Sequence, residues 1–231
     1  MVVHSEPVQK VFKEAKILDQ FTDKRMKYPR TYHLPWSDGL INDDKRIEYM
    51  GDLASCDDIV VTLKMDGENI SLYHDYIHAR SINMNPHESR NWVKSLHGSI
   101  KNDIPKDYRL CGENMYAKHS IHYSNLKSYF YLFSVWNKDE CLSWDETVEW
   151  AQLLNLETVP VLYRGPWDEE KVKSLYSEYY NNNEMEGYVV RVADNFKYID
   201  FKTKVSKMVR KSHVQTDEHW MSQEIVPNKL L

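Results

Sequence analysis

The sequence predicts a mixed α+β fold of antiparallel sheets flanked by helices. Three observations carry that expectation. Segments of strand length with apolar alternation recur along the chain, amphipathic stretches of helical period fall between some of them, and the two kinds do not alternate as a doubly wound parallel sheet requires. With 231 residues, 42% hydrophobic and 28% charged, there is room for one large domain and its core, but not for two full domains. The chain is therefore read as one domain over 1–231, with 1–26 as a helical extension and 212–231 as a short tail.

In chain order, Val8, Val11, Phe12, Ala15 and Leu18 fall at three- and four-residue steps, the period of an amphipathic helix. From about Lys27 the run KYPRTYHLPWSDGLINDDKR holds two prolines and an Asp-Gly pair, so it reads as an extended loop of the length that often serves function. DIVVTLKM is a strand, and NISLYHDYIHARS is a hairpin whose alternation breaks at His74-Asp75. Pro86 suits the first turn of a helix through Trp92, Val93 and Leu96, closed by Gly98. YRLCGENMY, YFYLFSVWN and TVPVLYR supply three more strands. Ser143 and Glu146 have capping-box spacing ahead of an apolar face at Val148, Ala151 and Leu154. A further helix from Asp168 places Val172, Leu175, Tyr176 and Tyr179 on one face, and EGYVVRV and NFKYIDFKTK complete the strands.

Composition narrows the function. A formal net charge of −5 argues against a protein that coats nucleic acid through a global basic field, so any such site is local. The segment from Lys197 to Lys211 is one such place, with six basic residues and one acid, Asp200. Cys56, Cys111 and Cys141 are odd in number and lack CxxC spacing, which suggests neither a disulfide framework nor a zinc site. The N-terminus lacks the apolar core of a signal peptide, and no run of about 18 apolar residues is present to span a membrane. A soluble, cytoplasmic protein is expected.

Three short motifs carry chemistry. Lys64-Met65-Asp66-Gly67 closes an apolar strand and is followed by Glu68. A lysine there, beside a glycine that permits close backbone approach, is a nucleophile if its pKa is lowered; alone, such a lysine is ordinarily solvated ahead of a turn. Glu186 and Arg191 bracket the apolar strand of EGYVVR. In Phe201-Lys202-Thr203-Lys204, strand alternation would put both lysines on one face, where two like charges repel unless an anion such as a polyphosphate lies between them. Isolated, the last two motifs would be a capped strand and a solvated pair.

In the order KxDG, EGxVVR, KxK, these elements resemble the covalent nucleotidyltransferase superfamily of ATP-dependent ligases and mRNA-capping enzymes. Cys111-Gly112-Glu113-Asn114 resembles its ribose-contacting motif, and Phe133-Ser134-Val135-Trp136-Asn137 its base-stacking motif. The stretches from Tyr28 to Trp36, His78 to Ser81 and Gly112 to Ile121 resemble the RNA-ligase branch, and the likeness runs from about residue 27 to 211. It implies a nucleotidyltransferase (ATP-grasp-like) domain. Only about 20 residues follow the KxK region, too few for a C-terminal OB-fold.

The resemblance further implies an ATP-dependent RNA ligase that works through lysyl-AMP and serves RNA repair. Lys64 is then the adenylylated nucleophile, Glu113 contacts the ribose, Glu186 binds the catalytic Mg²⁺ or Mn²⁺, and Lys202 and Lys204 contact phosphates. Arg80 matches the arginine that follows the nucleophile, and Glu68 adjoins the nucleotide. Trp136 is preferred as the aromatic that stacks on adenine, with Phe133 in a shifted register as the alternative. Arg30 and Trp36, with Asp43-Asp44, lie in the long loop and are candidates to close over the adenylate or touch RNA; Lys118 and Arg191 are further substrate-binding candidates. His119 and His122 lie three apart but lack a third ligand for metal. The expected partner is RNA with 5′-phosphate and 3′-hydroxyl ends, in a nicked duplex, met by a monomer with or without an accessory protein. The competing functions are a DNA ligase, a capping-type guanylyltransferase and a non-catalytic RNA-binding relative.

Overall fold

A computed structural model describes residues 25–40, 44–82, 85–179, 185–211 and 224–231. The expected first helix, including Val8 to Leu18, and Asp43 lie outside the described residues.

The strands are β1 (Tyr32–His33), β2 (Ile59–Lys64), β3 (Glu68–Tyr73), β4 (Ile77–Ala79), β5 (Tyr108–Asn114), β6 (Phe130–Asn137), β7 (Glu140–Cys141), β8 (Glu157–Thr158), β9 (Val161–Gly165), β10 (Gly187–Val192), β11 (Phe196–Lys197) and β12 (Val205–Val209). The helices are α1 (Gly51–Ala54), α2 (Asn91–Ile100), α3 (Trp144–Leu153), α4 (Glu169–Tyr179) and α5 (Phe201–Lys204). One sheet has the order β1-β12-β10-β2-β9, and the other runs β11-β7-β6-β5-β3-β4 with β8 beside β6. Pairing is antiparallel except for β1 with β12 and β6 with β8.

The two sheets face one another. Val61, Tyr188 and Val190 of the first share a buried cluster with Cys111, Trp136 and Cys141 of the second. The second sheet's other face carries Ile70, Leu72, Leu110, Phe130, Leu132 and Val135, and is covered by Val93 and Ile100 of α2 and Ala151 of α3. That burial explains the periods seen in the sequence: alternate strand residues serve two different apolar layers. The Ser143–Glu146 capping box forms, with Ser143 Oγ accepting the Glu146 amide at 3.2 Å.

Four local expectations change. The described residues of the long loop, 27–40 and 44–47, are mostly irregular but contribute β1, and His33, Leu34 and Ser37 among them are fully buried, so they are part of the core wall. Gly98 does not close its helix, which continues to Ile100. TVPVLYR is divided by Pro160, which lacks an N–H for a ladder; Thr158 pairs with the second sheet and Val161 with the first. Phe201–Lys204 is a helical turn, and the strand begins at Val205. Among the described residues no helix is long and apolar enough to cross a membrane.

Candidate active site

Lys64 is the last residue of β2 and lies opposite Gly187 of β10. Glu186, one residue before that partner, consequently meets Lys64 across the strands, with Oε2 at 2.6 Å from Nζ. The side chains are 25% and 8% exposed; Lys64 lines a cavity of 550 Å³ between the sheets, with Glu186 behind it and outside the lining. Gly187 permits the close packing of strands, since a Cβ there would stand 1.9 Å from the Met208 carbonyl oxygen.

The second sheet supplies the opposite wall. Glu113 of β5 accepts the Gly67 amide at 3.3 Å, and a Cβ on Gly67 would stand 2.5 Å from the Asn114 carbonyl oxygen. The turn after Lys64 thus needs glycine for a close approach. Asp66 is buried and its Oδ2 accepts the amides of Ser120 and Ile121, each at 2.7 Å. Asp66 therefore holds the turn in place.

Charge sets the protonation states. Burial pulls the Lys64 ammonium downward, but Glu186, Glu113 and Asp66 outweigh it and hold the pKa above that of ordinary lysine. Burial pushes the Glu113 carboxyl up to about 8, with Glu186 and Asp66 adding to the rise and Lys64 opposing it. Without a ligand, Lys64 is accordingly an ammonium, and its protonation depends on what enters the cavity. Cys141 also lines the cavity, but burial pushes its thiol up to about 11, so it stays protonated at neutral pH.

Several predicted residues converge here. Arg30 and Arg80 are exposed residues lining the cavity, and Lys64, Glu68, Glu113, Phe133 and Arg191 line it too. Glu68 is gripped by the buried Arg90, whose Nε reaches Oε2 at 2.8 Å and whose Nη2 reaches Oε1. Its resting role is therefore to hold Arg90 in the wall. Arg191 is tied to carbonyl groups, donating to Leu142 at 2.8 Å and to Val192 at 3.0 Å.

Others do not converge. Trp136 is fully buried, with rings of Phe196, Tyr198 and Phe201 around it and Arg109 over its face. It is a core residue, and of the two predicted aromatics it is the half-buried Phe133 that lines the cavity, together with Tyr28, Trp144 and Phe196. The reason is a bulge: Gly112 pairs with Leu132 and Cys111 with Ser134, so Phe133 has no partner in the ladder. An extra residue turns Phe133 and Ser134 to the same side, which simple alternation cannot anticipate.

Lys202 and Lys204 are likewise absent from the cavity lining. Helical backbone replaces the expected alternation; Lys202 is exposed and Lys204 pairs with Asp52 at 3.1 Å. Lys207 of β12 takes the expected place, lining the cavity beside Asp44 at 3.4 Å. Asp44 is itself 3.0 Å from Nε2 of His33. Burial pulls the Lys207 ammonium below its ordinary value despite Asp44. Sequence reasoning missed Lys207 and Arg90; the alternation of Val205, Lys207 and Val209 was the available signal for the first.

Trp36 donates to the Tyr188 hydroxyl at 2.8 Å and packs toward Trp167, so it is a packing residue outside the cavity lining. Lys118 is exposed and outside the lining too, its amide donating to Val226. His119 lines the cavity, whereas His122 reaches the Pro227 carbonyl at 3.3 Å. The two histidines therefore do not share a site.

The two-sheet fold is that of nucleotidyltransferase-type ligases. A putative ATP-dependent DNA ligase from Aquifex aeolicus matches with a TM-score of 0.52 at 17% identity, over 87% of this chain and 62% of that one. An archaeal ATP-dependent RNA ligase gives 0.51 at 14% identity, over 80% and 48%. A Naegleria gruberi RNA ligase solved with PPi gives 0.50 at 17% identity, over 83% and 63%. The chain thus spans less than two thirds of each of these structures. None of the curated proteins is a sequence match. The RNA ligase family model matches residues 57–209, and the chain belongs to that family.

Proposed function

We propose that this protein is an ATP-dependent RNA ligase that forms lysyl-AMP on Lys64, transfers the AMP to a 5′-phosphate and joins that end to a 3′-hydroxyl in RNA repair. The observation that carries the reading is Lys64 at the edge of a nucleotide-sized cavity, 2.6 Å from Glu186, in a chain of the RNA ligase family. Phe133 would stack on adenine, Glu113 would face the ribose, and Lys207 with Arg80 would meet phosphate oxygens.

In the first step Lys64 Nζ forms a bond to the α-phosphorus as the bond to pyrophosphate breaks. The AMP then passes to the 5′-phosphate, freeing Lys64, and attack by the 3′-hydroxyl expels AMP as the phosphodiester forms. Each is an in-line displacement, in which positioning and charge neutralisation dominate. Lys207 and Arg80 would offset the phosphate charge. For the nucleophile to act, Glu186 must release its hold on the ammonium, because that ion pair keeps the proton on Lys64.

The residues fit Mg²⁺ or Mn²⁺ bound mainly through substrate phosphates. Among the described residues no three His, Cys, Asp or Glu side chains are grouped to hold a metal ion, while Glu113 offers a carboxylate in the cavity and Glu186 a second one beside Lys64. One or two carboxylates completed by phosphate oxygens are the usual setting for Mg²⁺. A bound divalent cation would supply phosphate neutralisation and draw Glu186 away from Lys64.

The test is covalent labelling with radioactive ATP or GTP. ATP should leave label on the denatured chain that resists alkali and is released by acid, as a phosphoramidate requires, and Lys64→Ala should take none. Label from GTP alone would indicate a capping-type enzyme, and label persisting in Lys64→Ala would place the nucleophile elsewhere. Sealing of nicked duplexes with RNA or DNA at the nick distinguishes the acceptor; exclusive sealing of DNA would refute RNA as substrate.

A further inference from the structure

Residues 115–126, which connect β5 toward β6, contain no strand or helix, yet they hold the turn beside Lys64. Besides the two amides on Asp66, the Tyr123 hydroxyl accepts the Asp66 N–H at 3.2 Å. The chain's last described segment, 224–231, in turn holds this connector. Lys118 donates to Val226, Asn228 to Tyr116, Lys229 to Tyr123 and Leu126 to Lys229, at 2.8–2.9 Å. Asn228, 1% exposed, is the centre of the arrangement. Its Nδ2 donates to the Met115 carbonyl at 2.7 Å, its Oδ1 accepts the Tyr123 amide at 2.9 Å, and its carbonyl accepts the Tyr129 hydroxyl at 2.9 Å.

We propose that residues 224–231 form a positioning strap for the Lys64 turn, with Asn228 its keystone and Tyr123 the relay to Asp66. Asn228 uses both ends of its amide to replace the hydrogen bonds that an irregular connector cannot make within itself. Tyr123 carries that order onward, since its amide is fixed by Asn228 and its hydroxyl fixes Asp66, two residues from Lys64. The segment hydrogen-bonds to Met115, Tyr116, Lys118, Tyr123, Leu126 and Tyr129, so its effect on chemistry passes through the connector and the turn. The functional part of this proposal rests on Lys64 being the nucleophile.

Asn228→Ala and Tyr123→Phe, made in the full chain, test it through amide exchange and labelling kinetics, well below the melting temperature. Asn228→Ala should speed exchange at Asp66, Ser120 and Ile121 by about tenfold, as loss of buried hydrogen bonds implies. It should slow covalent labelling at saturating ATP by about tenfold while the KM for ATP changes less than about threefold, since positioning acts on the chemical step. Tyr123→Phe, which keeps the ring, should act in the same direction. The double variant should fall short of the product of the two effects, because both lie on one route. Unchanged exchange at Asp66, or wild-type labelling in folded Asn228→Ala, would overturn the strap. If the wild-type protein takes no label, the proposed function fails, while exchange at Asp66 still decides whether the strap orders the turn.

Discussion

Replacing Phe133 and Trp136 in turn separates a nucleotide contact from a core residue. Phe133→Ala removes a half-buried ring at the cavity, where its neighbour is Tyr28 at 5.2 Å between centroids. Stacking of a base on an aromatic side chain is worth about 1–3 kcal/mol by alanine substitution, so ATP affinity should weaken about 5- to 150-fold. Trp136→Ala instead empties a fully buried site bounded by four aromatic rings, Tyr28, Phe196, Tyr198 and Phe201, and by Arg109. That loss should cost about 3–5 kcal/mol of stability, or roughly 6–20 °C in Tm for a chain of this length. ATP titration of covalent labelling, with thermal unfolding of the same preparations, reads both quantities. Wild-type ATP affinity in Phe133→Ala, together with a Trp136→Phe variant that melts normally but loses affinity, would refute the assignment.

Lys207→Ala should slow labelling about 10²- to 10³-fold, the scale of losing one preorganised donor to a developing charge, whereas Lys202→Ala should label normally; single-turnover kinetics compare them. Arg90→Ala leaves the largely sheltered Glu68 without its bidentate partner and should cost up to about 3 kcal/mol, measured by denaturant unfolding. Glu113 has its carboxyl raised from 4.5 to about 8 in the folded chain, so between those values the native state binds more protons than the unfolded one. Its contribution makes stability fall as pH rises through that window. Unfolding measured at several pH values should show this fall in the wild type and a flatter profile in Glu113→Gln.

The sequence by itself determined most of the strands, the capped helix and the family. Apolar alternation located the strands that hold Lys64 and Glu113 and the strand that Glu186 precedes, because each strand must bury one or both faces. The Ser143–Glu146 cap was legible because it is a contact between residues three apart. The ordered motifs also made the RNA ligase resemblance visible before any coordinates.

Tertiary structure decided what depends on register and pairing. The bulge at Phe133 exists only because Gly112 and Cys111 pair around it, and it leaves Phe133 rather than Trp136 at the cavity. Helical backbone at 201–204 likewise replaced the expected pair of lysines with Lys207, a residue placed at the cavity by β12 lying beside β10. The strap was invisible for the same reason: Asn228 and Tyr123 are distant in sequence, and neither carries a pattern that announces the other. Local periodicity records which face a residue takes within its own element. Contacts between distant segments, which choose among the residues on that face, are fixed only when the sheets close around the cavity.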